Sequence, residues 1–132
     1  MAQEHVEIVR GIFERLSEGD LKSHFELFDE HVVVILPPEL PDTGIYVGHE
    51  AVLSYTRGFL EPWERLTMEA EELIDAGDTV VVAVCQRAAG EASGAVTELR
   101  YFQLWTFRGE KVIRLESIRE REDALRAAGL AQ

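Results

Sequence analysis

The chain has 132 residues, enough for one domain with a real core and too few for two. Its 25 acidic residues against 13 basic ones give a net charge of -12, which excludes a nucleic-acid surface built on phosphate contacts and points to a strongly solvated exterior. A single cysteine, Cys85, allows no intramolecular disulfide; with no apolar run of roughly 18 residues and no signal-like start, the chain reads as cytoplasmic, complete and without a membrane segment.

From residue 3 to 17, Val6, Val9, Phe13 and Leu16 recur at spacings of three and four, with Ile8 and Ile12 beside them, which predicts an amphipathic helix. Gly19 ends it, and Asp20 caps a short second helix with Leu21, Phe25 and Phe28 on one side. HVVVIL at 31–36 is a β-branched strand halted by Pro37 and Pro38. PPELPDTG is a loop, and 44–47 a brief extended piece. Gly48 opens a third helix in which Val52, Tyr55 and Phe59 align, limited by Pro62. The period then changes to two: Leu66, Met68 and Ala70 alternate with Thr67, Glu69 and Glu71. DAGD turns into the long strand TVVVAVCQRA, GEASG is a loop, and 96–107 is a second long strand. RGEK turns the chain into an antiparallel return at 112–118, and 121–128 is a last short helix ending at Gly129.

Helices lie toward the front and a strand meander toward the back, which is an α+β pattern. A long four-strand meander twists and curls. The expected form is a cone-shaped, strongly curved, mixed or antiparallel sheet with three helices from the N-terminal half on its concave face. The mouth of such a cone is a pocket, and residues 1–132 form one domain.

The stretches LSEGDLKSHFELFDEHVVV, YVGHEAVLSYTRGFL and LWTFRGEKVIRLESIREREDAL together resemble the nuclear transport factor 2-like superfamily. Within it the resemblance is to the SnoaL-like branch of polyketide cyclases and relatives of ketosteroid isomerase, and it spans residues 6–130. It implies a conical pocket. In the isomerases of that family a general-base Asp ends the first strand just before a proline. A Tyr on the first helix and a protonated Asp on the penultimate strand form the oxyanion hole. Here those positions fall at Ile35 or Leu36, at Ile12 and at Gln103. None matches. No steroid-type isomerase activity is expected, and the first strand reads as an apolar wall.

By the same resemblance the Tyr101–Gln103–Trp105 face points into the cone, met by Val80, Val82, Val84 and Gln86 on one side. Ile113, Leu115, Ser117 and Arg119 meet it on the other. The ligand-binding candidates are therefore Tyr55, Trp63, Gln86, Tyr101, Gln103, Trp105, Ser117 and Arg119. Trp63 serves either as an aromatic lid or as a core plug. Neutral hydrogen-bonding groups with one cation suit a small apolar molecule bearing a carbonyl or carboxylate. The competing arrangement has them satisfy one another, with Arg119 against Glu71 or Glu39. The candidate bases are His49, Glu39 and Glu71, with His49 equally readable as an exposed helix residue or a rim group. His5, His24 and His31 show no metal-ligand spacing, Cys85 reads as a packed thiol, and neither metal nor cofactor is expected.

Two functions fit. One is a SnoaL-like small-molecule pocket, whose reaction, if it is catalytic, is a cofactor-independent isomerisation, cyclisation or dehydration of an apolar carbonyl compound. The other is a non-catalytic ligand-binding or dimeric protein-interaction module. In either case a homodimer is expected through the outer sheet face, with Arg100, Phe102, Leu104, Arg114 and Glu116 as its surface.

Overall fold

A computed structural model of the chain describes residues 2–18, 23–36, 44–60, 63–90 and 96–130. α1 (Ala2–Ser17) buries Val9, Ile12, Phe13 and Leu16, the stripe that its spacing sets on one side. Of the expected second helix, the described part is a 3-10 segment, Ser23–Leu27, and Phe28 already belongs to β1 (Phe28–Leu36), while the expected stop at Gly19, cap at Asp20 and Leu21 lie outside the described residues. β2 (Gly44–Val47) folds back on β1, and α2 (His49–Leu60) follows with Val52 buried. Gly48 makes that corner at a φ of 89°, where a side chain would be strained, and its N–H donates to Val32 O at 2.7 Å.

The meander is β3 (Trp63–Ala76), β4 (Thr79–Gly90), β5 (Val96–Arg108) and β6 (Lys111–Ile118), followed by α3 (Arg121–Ala127). The six strands form one open sheet in the order β2-β1-β6-β5-β4-β3, antiparallel throughout except where β1 lies parallel to β6. α1 covers the inner face, and the core between them holds Val80, Val82 and Val84 of β4, Tyr101, Trp105 and Phe107 of β5, and Val112 of β6.

Two irregularities redirect side chains. Between Ala70 and Glu72 the β3–β4 register slips by one residue. Ala70 and Leu73 both face the core, so Glu71 and Glu72 both turn outward, where they meet Arg100 and Arg121. The second slip, between Thr106 and Phe107, sets Val112 opposite Phe107 in the core, the place that strict alternation gives to Ile113.

α3 lies on the outer face. Ala124 packs with Val81 and Leu104, backed by Ile74, Phe102, Ile118 and Ala128. The Arg121 guanidinium sits 5.9 Å from the centre of the Phe102 ring. This corrects the expected dimer surface: Leu104 is buried under the helix, and Phe102 packs beside it. An alanine face is flat enough to seat a short helix directly on the strands.

Candidate functional site

The inner wall of β4, β5 and β6 carries a polar island among apolar residues. Strand alternation places Gln86, Tyr101, Gln103 and Ser117 there, with Tyr101 across from Val84 and Gln103 across from Ser117. The Tyr101 hydroxyl donates to Gln86 Oε1 at 2.8 Å, and Trp105 Nε1 donates to Gln103 Oε1 at 3.0 Å. An indole N–H can only donate, so its bond settles which end of the Gln103 amide is oxygen. Burial, reinforced by nearby Tyr55, pushes the Tyr101 phenol far above its ordinary range. Tyr101 is therefore a protonated donor at neutral pH.

With both oxygens occupied, the amide nitrogens remain. Among the described residues, Gln86 Nε2, Gln103 Nε2 and Ser117 Oγ have no protein partner. Arg15 Nε is the only buried side-chain nitrogen or oxygen there that is both sealed from solvent and unpartnered. The three polar groups of the island are therefore not wholly sealed from solvent. No described residue on the inner face of β4, β5 or β6 is charged. Part of the expected mutual satisfaction is thus real: it takes up the oxygens and leaves the donors.

Facing partners come from the front of the chain. The rings of Tyr46 on β2 and Tyr55 on α2 lie 4.6 Å apart at 31°. Tyr46 was not among the sequence candidates. Its signal is the alternation in GIYV, which pairs it with buried Val34 and sends it inward.

Several candidates stand elsewhere. Arg119 follows the end of β6, where alternation no longer holds, and its side chain is exposed, which corrects its expected role as a buried anchor. Glu71 is not its partner: Arg100 holds Glu71 through Nε at 3.1 Å and Nη2 at 3.3 Å on the outer face. The same contact removes Glu71 from the candidate bases. His49 is exposed at the start of α2, and its Nε2 donates to Phe28 O at 2.6 Å, tying that helix to β1. Trp63 opens β3 opposite Gly90, but its side chain, like all of Glu39, lies outside the described residues. Ile12 is fully buried and Ile35 and Leu36 are half-buried, so the isomerase base and first-helix positions are apolar in place as well as in sequence. Cys85 is fully buried, and burial raises its thiol against the pull of Arg87 and Arg100. Among the described residues no group of three or more His, Cys, Asp or Glu is placed to hold a metal.

A curved, open, mixed sheet closed on its inner side by N-terminal helices, with a polar island on that wall, is the architecture of the nuclear transport factor 2-like class. The SnoaL-like domain model matches residues 9–115, and the chain belongs to that family. A nuclear transport factor 2-like protein of unknown function from Burkholderia pseudomallei K96243 superposes with a TM-score of 0.76 at 19% identity, over 92% of this chain and 95% of that one. A SnoaL-like polyketide cyclase, so described provisionally, from Jannaschia sp. CCS1 gives 0.74 at 20% identity, over 98% and 94%. TerC, co-crystallised with polyporic acid, gives 0.74 at 18% identity, over 95% and 98%. At these identities the likeness is one of fold. No curated protein matches the sequence.

Proposed function

We propose that this SnoaL-like protein binds a neutral, apolar aromatic carbonyl compound against the inner wall of its sheet. The observation that carries the reading is the pair of amides whose oxygens are held by Tyr101 and Trp105, leaving open Nε2 of Gln103, across from Ser117, and Nε2 of Gln86, further along β4. Such donors polarise a carbonyl and stabilise the oxygen of an enolate, the intermediate shared by isomerisation, cyclisation and dehydration of carbonyl compounds. The Tyr46–Tyr55 pair supplies aromatic surface for a flat ligand. TerC, co-crystallised with polyporic acid, is a fold relative consistent with small-molecule binding. Because Arg119 is exposed and the described inner faces of β4, β5 and β6 are uncharged, the reading favours a carbonyl over the carboxylate also considered from sequence. Within the described residues this wall offers donors and no base, so a chemical step would draw its base from elsewhere, Glu39 being the remaining candidate. The protein is taken to work as a homodimer.

Titration of the purified protein with acetylnaphthalene and with naphthoate, followed by tryptophan fluorescence and by native mass spectrometry, separates the possibilities. One ketone bound per chain, and naphthoate at least about tenfold weaker, is the expected result, since an anion entering a neutral wall loses hydration without gaining a counter-charge. Tighter binding of naphthoate would overturn the reading.

A further inference from the structure

We infer that Trp105 is a positioning residue that makes this wall read hydrogen-bond polarity: it locks the Gln103 amide so that its open side favours ligand acceptors over ligand donors. The inference rests on the ligand-binding reading above and adds a selectivity to it.

An unrestrained glutamine is a poor discriminator, because a half-turn of its amide exchanges a donor for an acceptor at almost no change of shape. Here that freedom is removed. Trp105 is 2% exposed and Gln103 6% exposed, so neither has space to exchange its partner for bulk water. Flipping the Gln103 amide would set its NH2 against the indole N–H, donor against donor, in a buried place where an unmade hydrogen bond is costly. The Trp105 ring is itself fixed by edge contacts with Phe13 at 5.9 Å and Phe28 at 6.0 Å. The Tyr101 hydroxyl, 2.8 Å from Gln86 Oε1, can donate or accept, so it holds Gln86 in place without fixing the polarity of that amide. A ligand oxygen thus meets a fixed N–H group at Gln103, whereas a ligand N–H or O–H there finds only the second lone pair of Gln103 Oε1 or the Ser117 hydroxyl opposite.

Fluorenone, fluorene and carbazole are flat tricycles of nearly one shape that present, respectively, an acceptor, nothing polar, and a donor. The native protein is expected to bind fluorenone about tenfold more tightly than fluorene, and carbazole no better than fluorene, the factor corresponding to one buried hydrogen bond. Gln103→Glu keeps an oxygen for Trp105 and replaces the open NH2 by a second oxygen, so the order should invert toward carbazole. Trp105→Phe removes the lock and leaves the amide, so the fluorenone-to-carbazole affinity ratio should fall toward one whatever happens to fluorene. A role confined to packing would lower all three affinities together. Two variants of opposite design keep the comparison decisive if either fails to fold. If all three tricycles bind the native protein equally, the ligand-binding reading stands and the polarity inference is refuted. If none binds at any attainable concentration, both fall.

Discussion

His5 begins α1 with its ring stacked on Phe107, the centroids 4.4 Å apart at 9°. Its Nε2 lies 2.8 Å from Gly109 O and its Nδ1 3.4 Å from Gly77 O, so one side chain ties the helix to the β5–β6 and β3–β4 turns. A neutral ring donates from only one nitrogen, and the shorter contact identifies Gly109 as the better-formed bond. His5→Phe keeps the stack and loses the bond, which should cost about 1 kcal/mol. His5→Ala opens a hole as well, and its cost should reach about 2–4 kcal/mol. Urea unfolding of the two variants measures both, and a Phe variant as stable as the native protein would remove the tie from the account. Nothing in the sequence pointed to this role. A histidine on the apolar stripe of a helix carries no mark of the carbonyls it will meet more than seventy residues away.

Across the outer face of β3, β4 and β5 runs an ion-pair chain: Glu69 to Arg87 at 3.2 Å, Arg87 to Glu98 at 2.9 Å, Glu98 to Arg100 at 2.6 Å, and Arg100 to Glu71 at 3.1 Å. The hydrogen bond from Arg87, followed by the charge and hydrogen bond of Arg100, holds the Glu98 carboxyl below the usual carboxylate range. A carboxyl depressed by folding contributes stability above its unfolded pKa, and that contribution disappears as pH falls through the folded one. Glu98→Gln should therefore melt below the native protein at pH 7, and the two melting curves should converge as the pH drops beneath about 4. A gap unchanged by pH would show that the charge is idle. The strands themselves were legible as β-branched and aromatic runs, but 80–85 is apolar on both faces, and the inward face of 96–108 was set by the family resemblance rather than by alternation alone. The slip at Glu71 was not legible. Glu69, Glu71 and Glu72 are equally polar, and only the register against β4 shows which residue is extra. The seat of α3 was hidden for a related reason, since a seven-residue helix whose apolar side is alanine has little periodicity to read.

At the scale of the whole molecule, the outer face divides into three zones: the ion-pair chain, the area under α3, and an uncovered apolar strip at the β2 edge. Ile45 and Val47 are 66% and 58% exposed, and they pair with Ile35 and Val33 on the same side of the sheet. Arg114 and Glu116 come next on β6, in register with Val33 and Ile35 and 3.0 Å from each other. A cation and an anion beside an apolar strip are self-complementary across a two-fold axis, where each Arg114 meets the other copy's Glu116. In the proposed homodimer this strip replaces the centre of the sheet as the contact. Ile45→Lys should then shift sedimentation equilibrium toward the 14.9 kDa chain mass while leaving the melting of the monomer within about 0.5 kcal/mol of native. A native protein that sediments as a monomer at micromolar concentration would exclude the arrangement. The candidate site was readable in part at this scale. The face bearing Gln86, Tyr101, Gln103 and Ser117 follows from a period of two, but which amide atom each aromatic donor takes depends on side-chain torsions that no spacing records.

The parallel seam between β1 and β6 joins Val34 to Leu115, about eighty residues apart along the chain. During synthesis, HVVVIL leaves the ribosome with β2 as its only early neighbour, covering one edge by a short hairpin. Its other edge waits for β6, which at roughly 5–20 residues per second arrives several seconds later. For that interval a strongly apolar run stands with a bare row of backbone donors and acceptors, the condition under which nascent chains pair with the wrong neighbour. The meander from β3 to β6 contains only local pairings and is free to assemble as it emerges. The expected order of assembly is therefore from the back of the fold toward its front, with the first strand made among the last to find its place.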